Sequence, residues 1–134
     1  MSTLKVTNIQ DTAGGNSSTS EEIYSGRAKA WVNFNGTGTV AIRADFNVNT
    51  IGDNGTGDYT VNFSNALSDA NYVIAGGGFG YNESRSTGRT VTFSSASSSV
   101  YNNAINASFA RVTIEQTNGG TKNDMSHVHV AIFR

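Results

Sequence analysis

From Arg27 onward the chain alternates apolar and polar residues with period two, and that alternation limits it to strands. Ala28, Ala30, Val32 and Phe34 share one side of a segment whose other side carries Lys29, Trp31 and Asn33. Asn35-Gly36-Thr37-Gly38 then turns the chain, because Asn-Gly readily takes positive φ. A second strand is predicted next, with Val40, Ile42, Ala44, Phe46 and Val48 on one face and Arg43, Asp45 and Asn47 on the other. After the loop Gly52–Gly57, Tyr59, Val61 and Phe63 alternate with Thr60 and Asn62. Residues 28–63 therefore read as three antiparallel strands joined by tight loops. The second half continues with Tyr72–Ala75, Thr90–Phe93, Ala107–Gln116 and Ser126–Phe133, separated by glycine- and serine-rich turns. Asn-Gly-Thr-Gly occurs at 35–38 and again at 54–57, a recurring turn and too little for a repeat architecture.

Composition points the same way. Val and Ile total 19 against two Leu, and twelve Phe and Tyr add further strand formers. Ser, Thr, Asn and Gly make up nearly half the chain, as many short turns require. The expected fold is all-β, an antiparallel β-sandwich of about seven or eight strands over residues 27–134. Residues 1–26 read as an extended N-terminal arm. Leu4–Ile9 could form a short strand, Ala13–Ser20 is a small-residue linker, and Thr19 and Glu22 have capping-box spacing for one helical turn near Ser20–Tyr24.

The length of 134 residues fits one domain. With no cysteine, disulfides, thiolate zinc sites and cysteine nucleophiles are excluded. A net charge of −1 gives no reason to expect nucleic acid or an anionic membrane as partner. No apolar run approaches the roughly 20 residues that span a bilayer. Met1–Lys5 lacks the apolar stretch of a signal peptide, which predicts synthesis in a cytoplasm and no use of the secretory pathway. Catalysis finds little support. Ser, His and Asp are present without a distinguishing arrangement, and most of the four Glu and six Asp stand beside turn residues, so no enzyme is expected.

Four features could carry a site. His127-Val128-His129 places two imidazoles on one face of a strand, a donor pair suited to Zn, Fe, Ni or Cu; two ordinary strand residues beside a turn are the alternative. Asp53–Asp58 gathers oxygen ligands but lacks the spacing of a calcium loop, so a hairpin turn is expected. Gly76–Gly80 has neither the Gly-Lys-Ser/Thr nor the following helix of a phosphate loop. It is expected to permit a bulge or a close backbone approach. Tyr81, Asn82 and Arg85 in one predicted loop, with Tyr101 and Asn102 in another, mix aromatic faces with short hydrogen-bonding side chains. That mix can hold a glycan, and it is also ordinary turn chemistry.

The faces turned away from the predicted core are unusual. Trp31, Phe109 and Phe133 fall there among charged partners, types enriched at interfaces. Trp31, Arg43, Phe109, Arg111 and Phe133 are therefore predicted to form a subunit interface. The alternative is a twist or bulge that returns Trp31 to the core.

Ser25–Gly38, Asn54–Phe63, Asp69-Ala70-Asn71-Tyr72 and the terminal Val130–Arg134 together resemble the C-terminal domain of tail-fibre-like proteins from phages of aquatic bacteria, including cyanophages. The opening Leu4-Lys5-Val6…Ile9-Gln10 resembles the segment that precedes such domains. The resemblance covers nearly the whole chain, most strongly residues 26–75, and carries no catalytic motif. It implies a virion structural protein made in the host cytoplasm. Such proteins are usually homotrimers, joined to other virion proteins here through residues 1–26, and present the sandwich to a host-surface polysaccharide. A capsid decoration or head-fibre protein without a host ligand is the alternative. Some trimeric phage fibres bind iron through His-x-His pairs, which implies a transition metal held by His127 and His129 at a trimer axis; no other cofactor is expected. The chain lacks a long shaft and a recognisable attachment domain, which leaves its place on the virion open.

Overall fold

The arm begins with a two-residue ladder. The computed structural model describes residues 2–80, 89–93, 105–116 and 121–134. In it, β1 (Asn8–Ile9) pairs antiparallel with β2 (Ser18–Thr19), a much shorter strand than the alternation of Leu4–Ile9 predicts. The capping box forms as its spacing predicts. Glu22 N–H donates to Thr19 Oγ1 at 3.1 Å, and Thr19 N–H donates to Glu22 Oε2 at 2.7 Å. These bonds start α1 (Ser20–Gly26), in which no residue is buried. Nothing in residues 2–26 enters the core.

The sandwich follows in chain order: β3 (Ala28–Asn35), β4 (Ala41–Phe46), β5 (Val48–Asp53), β6 (Asp58–Phe63), β7 (Val73–Phe79), β8 (Arg89–Phe93), the short β9 (Ile105–Asn106), β10 (Phe109–Gln116) and β11 (His127–Phe133). One sheet runs β4-β3-β11-β7, and the other runs β5-β6-β10-β8 with β9 paired to β10. All pairings are antiparallel. The all-β sandwich of the sequence reading is the fold.

The predicted second strand is in fact two strands. Asn47 takes φ 56, a conformation that Asn tolerates better than most residues. Its Nδ2 donates to Lys29 O and Asn65 O, each at 3.1 Å, and its Oδ1 accepts from Asn65 N–H at 2.8 Å. This corner carries the chain from β4 in the first sheet to β5 in the second. Residues 28–63 thus form two hairpins in two sheets. A second departure lies in β4. The register with β3 shifts between Asn33 and Phe34, so that Ile42 faces Phe34 while Phe46 faces Trp31. A bulge reverses the alternation beyond it. Phe46, predicted in the core, stands on the outside and is 53% exposed.

The core lies between the sheets. Ala30, Val32, Phe34, Val128, Val130 and Ile132 face Tyr59, Val61, Phe63, Ala110, Val112 and Ile114, all buried. Phe34 and Tyr59 meet edge to face at 5.1 Å. Each fully buried Val, Ile or Phe contributes about 1.5–3 kcal/mol relative to exposure.

The loop ends are pinned by polar contacts. The Asp53–Asp58 segment is the hairpin turn expected of it, closed by Gly55 N–H to Asp53 Oδ1 at 2.9 Å and Asp58 N–H to Gly55 O at 2.9 Å. The Tyr59 hydroxyl, buried between the sheets, lies 2.9 Å from Gly36 O and 2.7 Å from Asp124 Oδ1. Burial first, then the neighbouring Asp124 carboxylate, pushes this phenol far above its ordinary range.

Candidate functional site

The outer faces of the two sheets differ in kind. On the second sheet, β6 places Asp58, Thr60 and Asn62 on the side away from the core and β10 places Phe109, Arg111, Thr113 and Glu115 there, a mostly polar side in which Thr113 is fully buried. Asp58 is 5% exposed and anchors this side. Its oxygens accept from Arg111 Nε at 2.7 Å, Arg111 Nη2 at 3.0 Å and Lys122 Nζ at 2.6 Å.

The first sheet's outer face is apolar. Trp31 lies opposite Phe46 on one flank and Ala131 on the other, and Ala131 lies opposite Ala75. One step along, Asn33 lies between Ala44 and His129, and His129 lies opposite Gly77. At the next step His127 lies opposite Phe79, and at the other end Phe133 lies opposite Val73. None of these residues is Lys, Arg, Asp or Glu. Trp31, Phe46, Val73 and Phe79 are 40%, 53%, 67% and 52% exposed. A groove of about 500 Å³ runs across the middle. Trp31 and His129 wall it, and Ala44, Ala75 and Ala131 leave it open. Opposite His129, Gly77 also faces open space, since a Cβ there would meet nothing within 4 Å. The Asn33 Oδ1 atom is buried with no hydrogen-bond partner, a cost that a donor arriving at this face would remove.

The two histidines belong to this face. The His127 ring stacks on Phe79 with centroids 4.5 Å apart and planes 6° apart, and Phe79 to His129 is 5.5 Å. The two imidazole centroids are 6.5 Å apart. Ser126 Oγ lies 3.1 Å from His127 Nδ1. One chain offers two ring donors here, half of a four-ligand set, and no cluster of three or more His, Cys, Asp or Glu occurs among the described residues. A metal would need ligands from further copies.

The predicted interface residues do not share a surface. Trp31 and Phe133 lie on the first sheet's outer face. Phe109 and Arg111 lie on β10, in the other sheet, where Arg111 is committed to Asp58. Arg43 is exposed at the β4 register shift. Trp31 did not return to the core, and Phe46 and Phe79 join it. Phe46 could not be found from alternation, because the bulge reverses its phase. The Gly76–Gly80 run serves close packing: a Cβ on Gly76 would lie 2.3 Å from His129 O. The approaching strand is β11 of the same chain. Tyr81, Asn82, Arg85, Tyr101 and Asn102 lie outside the described residues.

A second, smaller cavity of about 220 Å³ lies where the arm meets the sandwich. Lys29 Nζ sits 3.5 Å above the Tyr24 ring centroid and donates to Tyr24 O, and Arg27 flanks the same ring at 5.2 Å. Arg134 pairs with Asp69 beside it. These contacts orient α1 and leave little for a ligand.

No family model, curated protein or solved structure matches this chain.

Proposed function

We propose that this chain is a fibre-like structural protein of a phage virion, assembled as a homotrimer, with no catalytic activity of its own. The sandwich is presented outward for adsorption to a host-surface polysaccharide, and residues 1–26 join it to other virion proteins. The observation that carries the reading is the outer face of the first sheet, where Trp31, Phe46, Val73 and Phe79 stand exposed around a groove lined by no Lys, Arg, Asp or Glu. A solitary sandwich would place polar side chains there, as the second sheet does. The resemblance of residues 26–75 to fibre-type domains supports the same reading, and so do the uncovered apolar residues of the arm. Leu4 and Ile9 are 84% and 57% exposed.

Adsorption is tested by passing the full chain over immobilised cell-surface polysaccharides from candidate aquatic bacterial hosts, with bare matrix as control. Saturable retention on at least one polysaccharide, without release of cleaved sugar, is expected. Retention on none of them, together with binding to purified capsids, would replace adsorption with capsid decoration. Steady release of oligosaccharide would overturn the non-catalytic assignment.

A further inference from the structure

We propose that copies of this chain meet through one surface only, the outer face of β4-β3-β11-β7, with an exposed ring of one copy seated in the Trp31–His129 groove of the next. The inference rests on the homo-oligomeric reading above and specifies its contact. Three observations select a second copy as the occupant. The residues that line the groove include no Lys, Arg, Asp or Glu, so two copies meet there without like-charge repulsion between such side chains, whereas a charged partner would find no complement in it. It carries projections and a recess together. Phe46 and Phe79 stand out at 53% and 52% exposure, while the small side chains of Ala44, Ala75 and Ala131 hold open a recess of about 500 Å³. Projection and recess on one molecule are what a ring of identical subunits uses, each filling the next.

Area gives the third observation. The exposed parts of Trp31, Phe46 and Phe79 alone amount to on the order of 300 Å² of aromatic surface, given the size of such side chains. That is more than a third of the roughly 800 Å² that each partner gives to a standard interface, before the rest of the face is counted. In the described part of the second sheet, β6 and β10 place Asp58, Thr60, Asn62, Arg111 and Glu115 on the outer side with a half-buried Phe109, and the most buried charge there is already paired with Arg111 and Lys122.

The test is sedimentation velocity on the full chain and three variants. Phe79→Lys removes a projection, Ala75→Arg fills the recess, and Thr50→Lys places the same charge on the second sheet. All three positions are exposed, and circular dichroism confirms that each variant folds. The expected result is an oligomer for the parent and for Thr50→Lys, with Phe79→Lys and Ala75→Arg dissociating at concentrations at least about tenfold higher. If the parent is oligomeric and both face variants stay as tightly assembled as the parent, the assignment of the face is wrong while the homo-oligomeric reading stands. Loss of assembly in Thr50→Lys alone would move the contact to the second sheet. A monomeric parent would remove the homo-oligomeric reading and this inference with it.

Discussion

Arg111 holds both oxygens of Asp58, with Nε 2.7 Å from Oδ1 and Nη2 3.0 Å from Oδ2. The pair joins β10 to the start of β6, and Lys122 adds a third contact from the segment before β11. The carboxylate is nearly inaccessible, while the two cations keep side-chain exposures of 28% and 25%. Replacing Asp58 by Ala would leave two cations facing each other without their anion. A loss of about 2–4 kcal/mol is expected, toward the lower end because Arg111 and Lys122 reach water. Urea unfolding of Asp58→Ala against the parent at pH 7 measures it.

The same carboxylate gives an acid limb to stability. Burial alone would raise its pKa, but hydrogen bonds from Arg111 and Lys122 and their charges outweigh burial and hold it below the ordinary carboxylate value. A carboxyl whose folded pKa is depressed stabilises the fold above its unfolded pKa, about 3.9. That contribution is lost as pH falls through the folded value. Unfolding free energy should therefore drop below about pH 4, and Asp58→Asn should show a shallower drop. Equal acid slopes in the two proteins would assign the limb to other groups.

Two tyrosines give an alkaline limb. Burial pushes the Tyr72 phenol up to about 12, and Tyr59 is pushed further. Groups raised in this way stabilise the fold fully below the unfolded pKa near 10, and the contribution is lost as pH rises through the folded value. Phenolate absorbance should show these two ionising together with unfolding. Tyr59→Phe should remove one of them and cost about 1–3 kcal/mol, since Gly36 O and the Asp124 carboxylate lose a shared donor. Complete phenolate formation in a protein that remains folded would contradict this.

Glycine positions separate strain from crowding. Gly57 has φ +61, and a Cβ there would lie 2.6 Å from Asn123 N and 2.9 Å from Ile114 O, both backbone atoms. Gly38 has φ +62 with nothing within 4 Å. Gly38→Ala should cost about 1–2 kcal/mol, the left-handed penalty alone. Gly57→Ala should cost clearly more, because the crowding atoms belong to fixed strands and loops. Thermal melts of the two variants compare them directly.

What could be read beforehand was local. Alternation from Ala28 to Phe34 and from Val128 to Ile132 specified strands and their buried sides, and Thr19 with Glu22 specified a helix start. What could not be read depended on distant partners. Asn47 turns a corner because Lys29 and Asn65 receive its amide, and no motif marks that. The bulge near Arg43 leaves Ile42 on the core side and turns Phe46 outward without any signal in the alternation. Asp58 reads as a turn residue, yet its partners lie 53 and 64 positions away. The apolar face is only half legible in the sequence: alternation places Trp31 and Phe133 on it but groups Phe109 and Arg111 with them, although β10 belongs to the other sheet.

The most direct test of the assembly is the mass of the full chain by light scattering across a hundredfold dilution series at neutral pH. A homotrimer predicts a plateau at three times the chain mass, falling toward one chain only at the lowest concentrations. A mass of one chain at every concentration would mean that the apolar face stays uncovered in solution, and would contradict the fibre-like assembly proposed for it.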